Sequence, residues 1–406
     1  MARKDSHGIV LRTGEYQRPE TGKYRFKGKD AHGNPVNLQA DTLEELREME
    51  AEALRDKLDR LKTPGKMTIN DFYERWKSVK RGLKPNVMSN YCYMYDRFVA
   101  PEFGRKQIKT LKRTDVRTFY NSLVDNGKLA INTLEVVHNV LHQIIDLAVN
   151  DDYIRYNPAH GALKELKREY ENAGLIPEKR ALTHEEQVRF TEFLRTSEEY
   201  ARWYAPFYVL LHTGLRVGEL CALQWSDVDF RNRTITVSHT LVDYPDRTGE
   251  GTTMRYRMNT AKTRAGIRTI PMSAGVVTAF GIQKHYARKT PCRMEVDGFN
   301  DFIFTNRFGD VQHQGTLNKA LRERIIRDCN AEAMAKNLPL LPRFSCHTLR
   351  HTFCTNLCAA GVDVKTISEI MGHADVRVTL EIYTEVTKDM KNRAVKSLED
   401  YLNEDD

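Results

Sequence analysis

Apolar and polar residues alternate in short runs over residues 8–40, with turns between the runs. In YRFK, Tyr24–Lys27, aromatic and basic side chains take opposite faces, and Gly33–Asn34–Pro35 separates this run from VNLQ. A period of two, broken by turn residues, predicts a small antiparallel sheet with one basic face. The period then lengthens. Leu43, Leu46, Leu54, Leu58 and Leu61 keep helical spacing behind Thr42 and Glu45, which have the spacing of a capping box. A sheet this small is not stable alone, so the helix is expected to cover one of its faces. Thr63–Pro64–Gly65–Lys66 reads as a linker.

Residues 67–170 carry helical periodicity only. Thr68 with Asp71 opens a helix whose Ile69, Phe72, Tyr73 and Trp76 share a face. Further helices are expected near 86–99, 114–125 and 131–149, and Asn157–Pro158 closes the block. A charged stretch, KELKREYENAGLIPEK, leads into a third region of mixed pattern. There Thr183 and Glu186 cap the first helix, and WYAPFYVLLHTG is an apolar helix. RTITVSH, IRTIPMS and FIFTN read as strands, and helices resume from about residue 348. In the tail, Met390, Ala394, Leu398 and Leu402 recur every four residues, as in a short amphipathic helix. The pattern divides the chain into 1–62, 67–170, 180–387 and 388–406.

Charge sharpens this picture. The chain of 406 residues has 63 Lys+Arg against 55 Asp+Glu, a net charge of +8 that suits a polyanionic partner. The bias concentrates between Arg75 and Lys128, where thirteen basic residues face four acidic ones, with Tyr91, Tyr93 and Tyr95 interleaved. Such a bias over one small domain points to a DNA-facing surface. Seven cysteines, an odd number in a chain this long, suggest reduced thiols. No apolar run approaches the roughly 20 residues of a membrane span, and MARKDSHGIVLRTGEY lacks the apolar core of a secretion signal. A cytoplasmic protein without membrane contact is expected.

Candidate chemistry centres first on SCHTLRHTFCTNLC, residues 345–358. His347, His351, Cys354 and Cys358 suggest zinc. On one helix, however, they trail over roughly 16 Å at about 1.5 Å per residue. Zinc ligands must meet within about 2.0–2.3 Å of the ion. A straight helix cannot close that tetrahedron, so the cysteines are read as small buried residues and His351 as a packing residue. His347 and Arg350, three apart near a helix start, can instead reach one spot beside free backbone N–H groups, an arrangement that favours phosphate. Arg216, in HTGLRVGEL, has the same fork chemistry. Lys262 is expected near the tip of a β-hairpin formed by NTAKTRAGIRTIPM. His373 follows Gly372, and Tyr383 lies ten residues beyond His373 in MGHADVRVTLEIYT.

Singly these residues are weak signals. Together, in order and with their flanking residues, they resemble the tyrosine recombinases, the family of the lambda-type phage integrases and the conjugative-transposon integrases. The H-x-L-R-H, M-G-H and I-Y-T segments carry most of the likeness. The resemblance implies a multidomain fold: a small β-sheet-plus-helix arm-binding domain, an all-α core-binding domain and a mixed α+β catalytic domain. It implies a site-specific recombinase of a mobile element that cuts and rejoins DNA through a 3′-phosphotyrosine. Tyr383 would be the nucleophile, Arg216, Arg350 and His373 would bind the phosphate, Lys262 would be the general acid, and His347 would assist. Rejoining then needs no nucleotide cofactor, and no metal is expected. Partners would be double-stranded DNA at core and arm-type sites, further copies of the chain in a tetramer that exchanges tail helices, and excisionase or DNA-bending proteins. Two rival readings are a non-catalytic DNA-binding regulator and a relaxing topoisomerase of the same chemistry. The first leaves six catalytic-type residues unexplained, and the second has no use for a separate N-terminal DNA module.

Overall fold

The computed structural model describes residues 3–62, 65–125, 127, 129–174, 180–249, 251–260 and 264–384, with backbone alone at 247–249, 251–252 and 264. The chain separates into two units, Met1–Pro177 and Glu178–Asp406.

The first unit opens with an antiparallel sheet of β1 (Glu15–Gln17), β2 (Tyr24–Lys29) and β3 (Pro35–Ala40). Tyr16, Arg25 and Gln39 stand abreast across it, as do Phe26 and Leu38. Tyr24, Phe26 and Leu38 pack with Leu43, Leu46 and Met49 of α1 (Leu43–Leu58), so the expected helix covers the expected face. Two details differ. Thr42 accepts the Glu45 N–H at 3.2 Å, but the Glu45 carboxylate accepts from Asp41 N at 3.4 Å, so the box is half formed. Leu54 and Leu58 are 58% and 74% exposed, because the three short strands offer no surface under the later turns of α1. The end of α1 is held instead by charge: Asp56 meets Lys109 at 2.7 Å and Arg155 at 2.8 Å.

The rest of this unit is helical: α2 (Ile69–Val79), α3 (Pro85–Met94) running into a π-turn at Tyr95–Val99, α4 (Arg113–Asp125), α5 (Ile131–Asn150) and α6 (Lys164–Asn172). Thr68 and Asp71 form the full reciprocal cap. The core joins Phe72, Tyr73, Trp76, Val116, Tyr120 and Leu134. Of the three interleaved tyrosines, Tyr95 belongs to this core: it is fully buried, stacks on Tyr73 at 3.7 Å and donates to Asn70 Oδ1 at 2.8 Å.

The second unit begins with α7 (His184–Thr196), capped reciprocally by Thr183 and Glu186, then α8 (Ala201–Thr213) and α9 (Val217–Ala222). β4 (Val228–Asp229), β5 (Thr234–Val237) and β8 (Arg268–Pro271) form one sheet, and β6 (His239–Gly249) and β7 (Gly251–Thr260) pair as a hairpin. α10 (Ala274–Lys289), α11 (Gln314–Ala320), α12 (Ile326–Ala335), α13 (Cys346–Ala359) and α14 (Val364–Met371) follow, and residues 376–384 are helical. FIFTN is not a strand. Phe302, Ile303 and Phe304 are all buried, Ile303 N donates to Leu223 O at 2.9 Å, and only isolated bridges form at Phe302 and Thr305. The run is apolar because every side of it is covered, so no ladder is needed to explain it. Among the described residues no helix is long and apolar enough to cross a membrane.

The hairpin expected of NTAKTRAGIRTIPM also changes. The tip of β6–β7 lies at Gly249 and Gly251. His239 pairs with Thr260 and Val237 with Arg268, so β7 pairs with β6 and β8 with β5, and the two strands of NTAKTRAGIRTIPM do not pair with each other. Lys262 itself lies outside the described residues. The tail stripe from Met390 to Leu402 is outside them too.

Candidate active site

The site is built where three helix ends meet. α8 ends on Gly214 at φ 64°, a left-handed turn that suits glycine. A Cβ there would also sit 2.5 Å from Phe353 Cδ1 and 2.8 Å from Met371 Sδ. The turn delivers Arg216 to the start of α9. Its backbone N–H donates to Glu219 Oε2 at 2.8 Å, its Nη1 to Glu219 Oε1 at 2.7 Å and its Nη2 to Gly372 O at 3.0 Å. The side chain is still 43% exposed and can reach a ligand.

Arg350 comes from the second turn of α13 and is buried. Its Nη1 donates to Gly214 O and its Nη2 to Met371 O, both at 2.5 Å. It therefore ties the turn before Arg216 to the turn before His373. Burial, with the Arg216 charge next, pushes the Arg350 guanidinium down to about 9. Excess positive charge packed this tightly favours an anion.

His373 follows Gly372, the left-handed cap of α14 at φ 64°. Its Nδ1 lies 2.8 Å from the hydroxyl of Thr379, which is fully buried. With that hydroxyl donating, Nε2 carries the ring proton and can donate to an oxygen anion. Burial, then the charges of Arg350 and Arg216, push His373 down to about 4, so the ring is neutral at pH 7. His347 is exposed and lines, with Arg216 and Arg350, a cleft of about 430 Å³ whose walls include Thr240, Asn318 and Arg322.

Tyr383 lies on helical residues 376–384, half-buried against Cys354, Cys358, Ile367 and Met371. It does not line that cleft. The two cysteines pack as apolar residues, and burial pushes the Cys354 thiol up to about 12. His351 is half-buried on α13. Among the described residues no three His, Cys, Asp or Glu side chains converge on a metal-sized point.

Three supporting residues were not singled out in the sequence. Glu219 is buried and bridges Arg216 and Arg268. Arg268, also buried, reaches Ile370 O through Nε at 2.7 Å and Gly266 O through Nη1 at 3.3 Å. Thr379 orients His373. Glu219 had a local signal, three residues after Arg216 at a helix start. Arg268 had a weaker one, a charge at an inward position of a strand otherwise burying Ile270.

This arrangement can hold a tetrahedral anion between two guanidiniums and an imidazole. The known proteins that the chain resembles fit that chemistry. The phage integrase family profile matches residues 180–390, the DNA-binding domain of the Tn916 integrase matches 1–62, and the N-terminal SAM-like domain of phage integrases matches 68–124. The transposase from transposon Tn916 of Enterococcus faecalis is 30% identical over 98% of this chain and 96% of its own length. A XerC-like tyrosine recombinase of Caldanaerobacter subterraneus is 26% identical over 82% of this chain and 83% of its own. The Tn1549 transposon integrase, solved in complex with transposon right end DNA, superposes with a TM-score of 0.69 at 28% identity, over 80% of this chain and 99% of that one. Sequence profile, relatives and fold agree, and the chain belongs to the phage integrase family of tyrosine recombinases, on the branch of the conjugative-transposon integrases.

Proposed function

We propose that this DNA-cleaving and rejoining enzyme uses Tyr383 as its nucleophile and Arg216, Arg350 and His373 as the grip on the scissile phosphate. The single observation that carries the reading is the convergence of those three donors, joined through the carbonyls of Gly214, Met371 and Gly372. Phosphodiester chemistry asks a site for on the order of 20 kcal/mol, most of it from fixed charge around the transition state. The tyrosine oxygen bonds to phosphorus as the 5′-oxygen leaves, giving a 3′-phosphotyrosine and a free 5′-hydroxyl. Attack by a second 5′-hydroxyl reverses the step, so bond energy is conserved and no nucleotide is consumed. Lys262 hands the leaving oxygen its proton, and His347 supports the same oxygen region.

The wider assignment follows from the same family. The element is a mobile one, integrated and excised by this chain at core-type DNA bound by residues 67–170 and 180–387 and arm-type DNA bound by 1–62. The outer face of β2, with Arg25 and Lys27 beside Tyr16, supports the second contact. The working assembly is a tetramer on DNA in the cytoplasm, joined by the tails at 388–406 and steered by excisionase or DNA-bending proteins.

The test is a DNA duplex nicked beside the cleavage point, so that the released strand diffuses away. The wild-type chain should trap itself as a covalent adduct on a denaturing gel. Tyr383→Phe should bind the duplex and yield none. An adduct of normal yield from that variant rules the assignment out.

A further inference from the structure

The catalytic unit has a second cavity, of about 170 Å³, walled by the first turns of α8, the end of α10 and the turn at 304–312. Three cations line it, Arg202, Lys289 and Arg307, and no lining residue is acidic. Among the described residues neither the Arg202 guanidinium nor the Lys289 ammonium has a hydrogen-bond or ion-pair partner. Burial pushes the Arg202 guanidinium below the usual arginine range. Tyr286 acts against that, and the Arg307 charge adds to it. Like charges are thus held around a common space without a counterion, which costs free energy unless an anion enters.

Gln312 makes the same point independently. It is 6% exposed, lines the cavity, and its Oε1 has no partner. Its Nε2 donates to no described residue either, which leaves the NH2 group for a ligand.

The walls are rigid. Thr305 bridges Val311, Gln312 N donates to Phe304 O at 2.9 Å, and Asn306 Oδ1 accepts from Phe308 N at 2.7 Å and Asp310 N at 3.1 Å. The nearby acid Asp310 is held outside by Asn306 Nδ2 at 3.2 Å. Arg307 lies over the Phe308 ring, 4.7 Å from its centroid. A preformed cage of two guanidiniums, an ammonium and an amide matches the tetrahedral oxygens of phosphate.

We infer that this cavity binds a phosphate group other than the one that is cleaved. α8 separates the two sites: Arg202 lies in its first turn and Arg216 beyond its end, on the order of 20 Å apart at about 1.5 Å per residue. The phosphate belongs either to the DNA backbone away from the cleavage point or to a free phosphate compound, and the chemistry is the same for both.

The experiment compares full-length wild-type chain with Arg202→Met/Arg307→Ala and, because the first residue is half-buried, with the more exposed pair Lys289→Ala/Arg307→Ala. Each protein is first matched for folding by circular dichroism. Binding to a duplex of arbitrary sequence is measured against salt. A backbone source predicts that the slope of log K against log salt shrinks by about 0.9 for the phosphate lost. It also predicts that Gln312→Leu weakens binding with no change in net charge. The second arm replaces chloride by inorganic phosphate at equal ionic strength and reads the thermal midpoint. A free-phosphate source predicts a rise in the wild type that the variants lose, with the DNA slope unchanged. If the salt slopes coincide and phosphate stabilises all chains equally, the cavity is not a phosphate site.

Discussion

Glu219 and Arg268, 49 residues apart in sequence, face each other as a buried two-point pair, with Nη2–Oε2 at 2.8 Å and Nη1–Oε1 at 3.1 Å. The same carboxylate holds Arg216, so Arg268 braces the proposed phosphate ligand through Glu219. Burial works to raise the Glu219 carboxyl, but Arg268 first, and Arg216 after it, hold it below the usual carboxylate range. A depressed carboxyl contributes stability above its unfolded value, about 4.3, and loses it as pH falls through the folded value. Arg268→Met removes the main opposing cause. Neutral-pH stability should then fall by about 3–5 kcal/mol, the usual cost of breaking a buried pair, and the gap in thermal midpoint between the two proteins should narrow as pH falls, because the variant no longer has that acid loss. A gap that stays constant from neutral to acid pH would contradict this.

Gly214→Ala tests the turn that delivers Arg216. The left-handed backbone costs an alanine about 1–2 kcal/mol, and Phe353 or Met371 must move as well. A misplacement of order 1 Å can cost about 100-fold in rate. Single-turnover cleavage should therefore fall much further than binding or stability. Equal losses in all three would mean that the glycine serves the fold only.

For His373 the sign is the reverse of a gained salt bridge. Its folded value is depressed to about 4. The stability it contributes is present above the unfolded value near 6.5 and is lost as pH falls toward 4. In the DNA-free chain its ring resonance in NMR should not titrate between pH 8 and 6. Thr379→Val removes the hydroxyl that sets the ring and should slow cleavage without moving that titration above pH 6. A midpoint near 6.5 in the wild type would overturn the neutral-donor role.

Helix starts were legible because their signals are local: Thr68 with Asp71 and Thr183 with Glu186 form the full caps. Periodicity alone did not tell how far a neighbour extends, so Leu54 and Leu58 passed for core. Nor could an apolar run reveal that bends would bury Phe302 to Phe304. Among the candidate site residues, Arg216, His347, Arg350 and His373 could be singled out because short motifs surround them, and the structure brings them together. The Glu219–Arg268 pair was not, since its geometry exists only after β8 pairs with β5 and brings Arg268 to α9.

Lys262 is proposed for the acid's part because lysine starts near about 10.4 and shifts readily, whereas arginine releases its proton only above about 12. Lys262→Ala should slow cleavage strongly on normal DNA. With sulfur in place of the bridging 5′-oxygen, the leaving group is a thiolate whose conjugate acid has a pKa of about 8.5. It needs little proton assistance, and the variant should approach the wild-type rate. Absence of sulfur rescue would transfer the acid role to His347 and leave Lys262 a contact to DNA.

Arg350 reaches back 136 residues to the Gly214 carbonyl and forward 21 to that of Met371. No local segment can make those bonds. During synthesis the helix that ends at Gly214 emerges long before α13, and contacts of such separation form only as the unit closes. In a nascent or partly unfolded chain Arg216, Arg350 and His373 are therefore still scattered. Assembly of the candidate site is thereby tied to completion of the unit's fold.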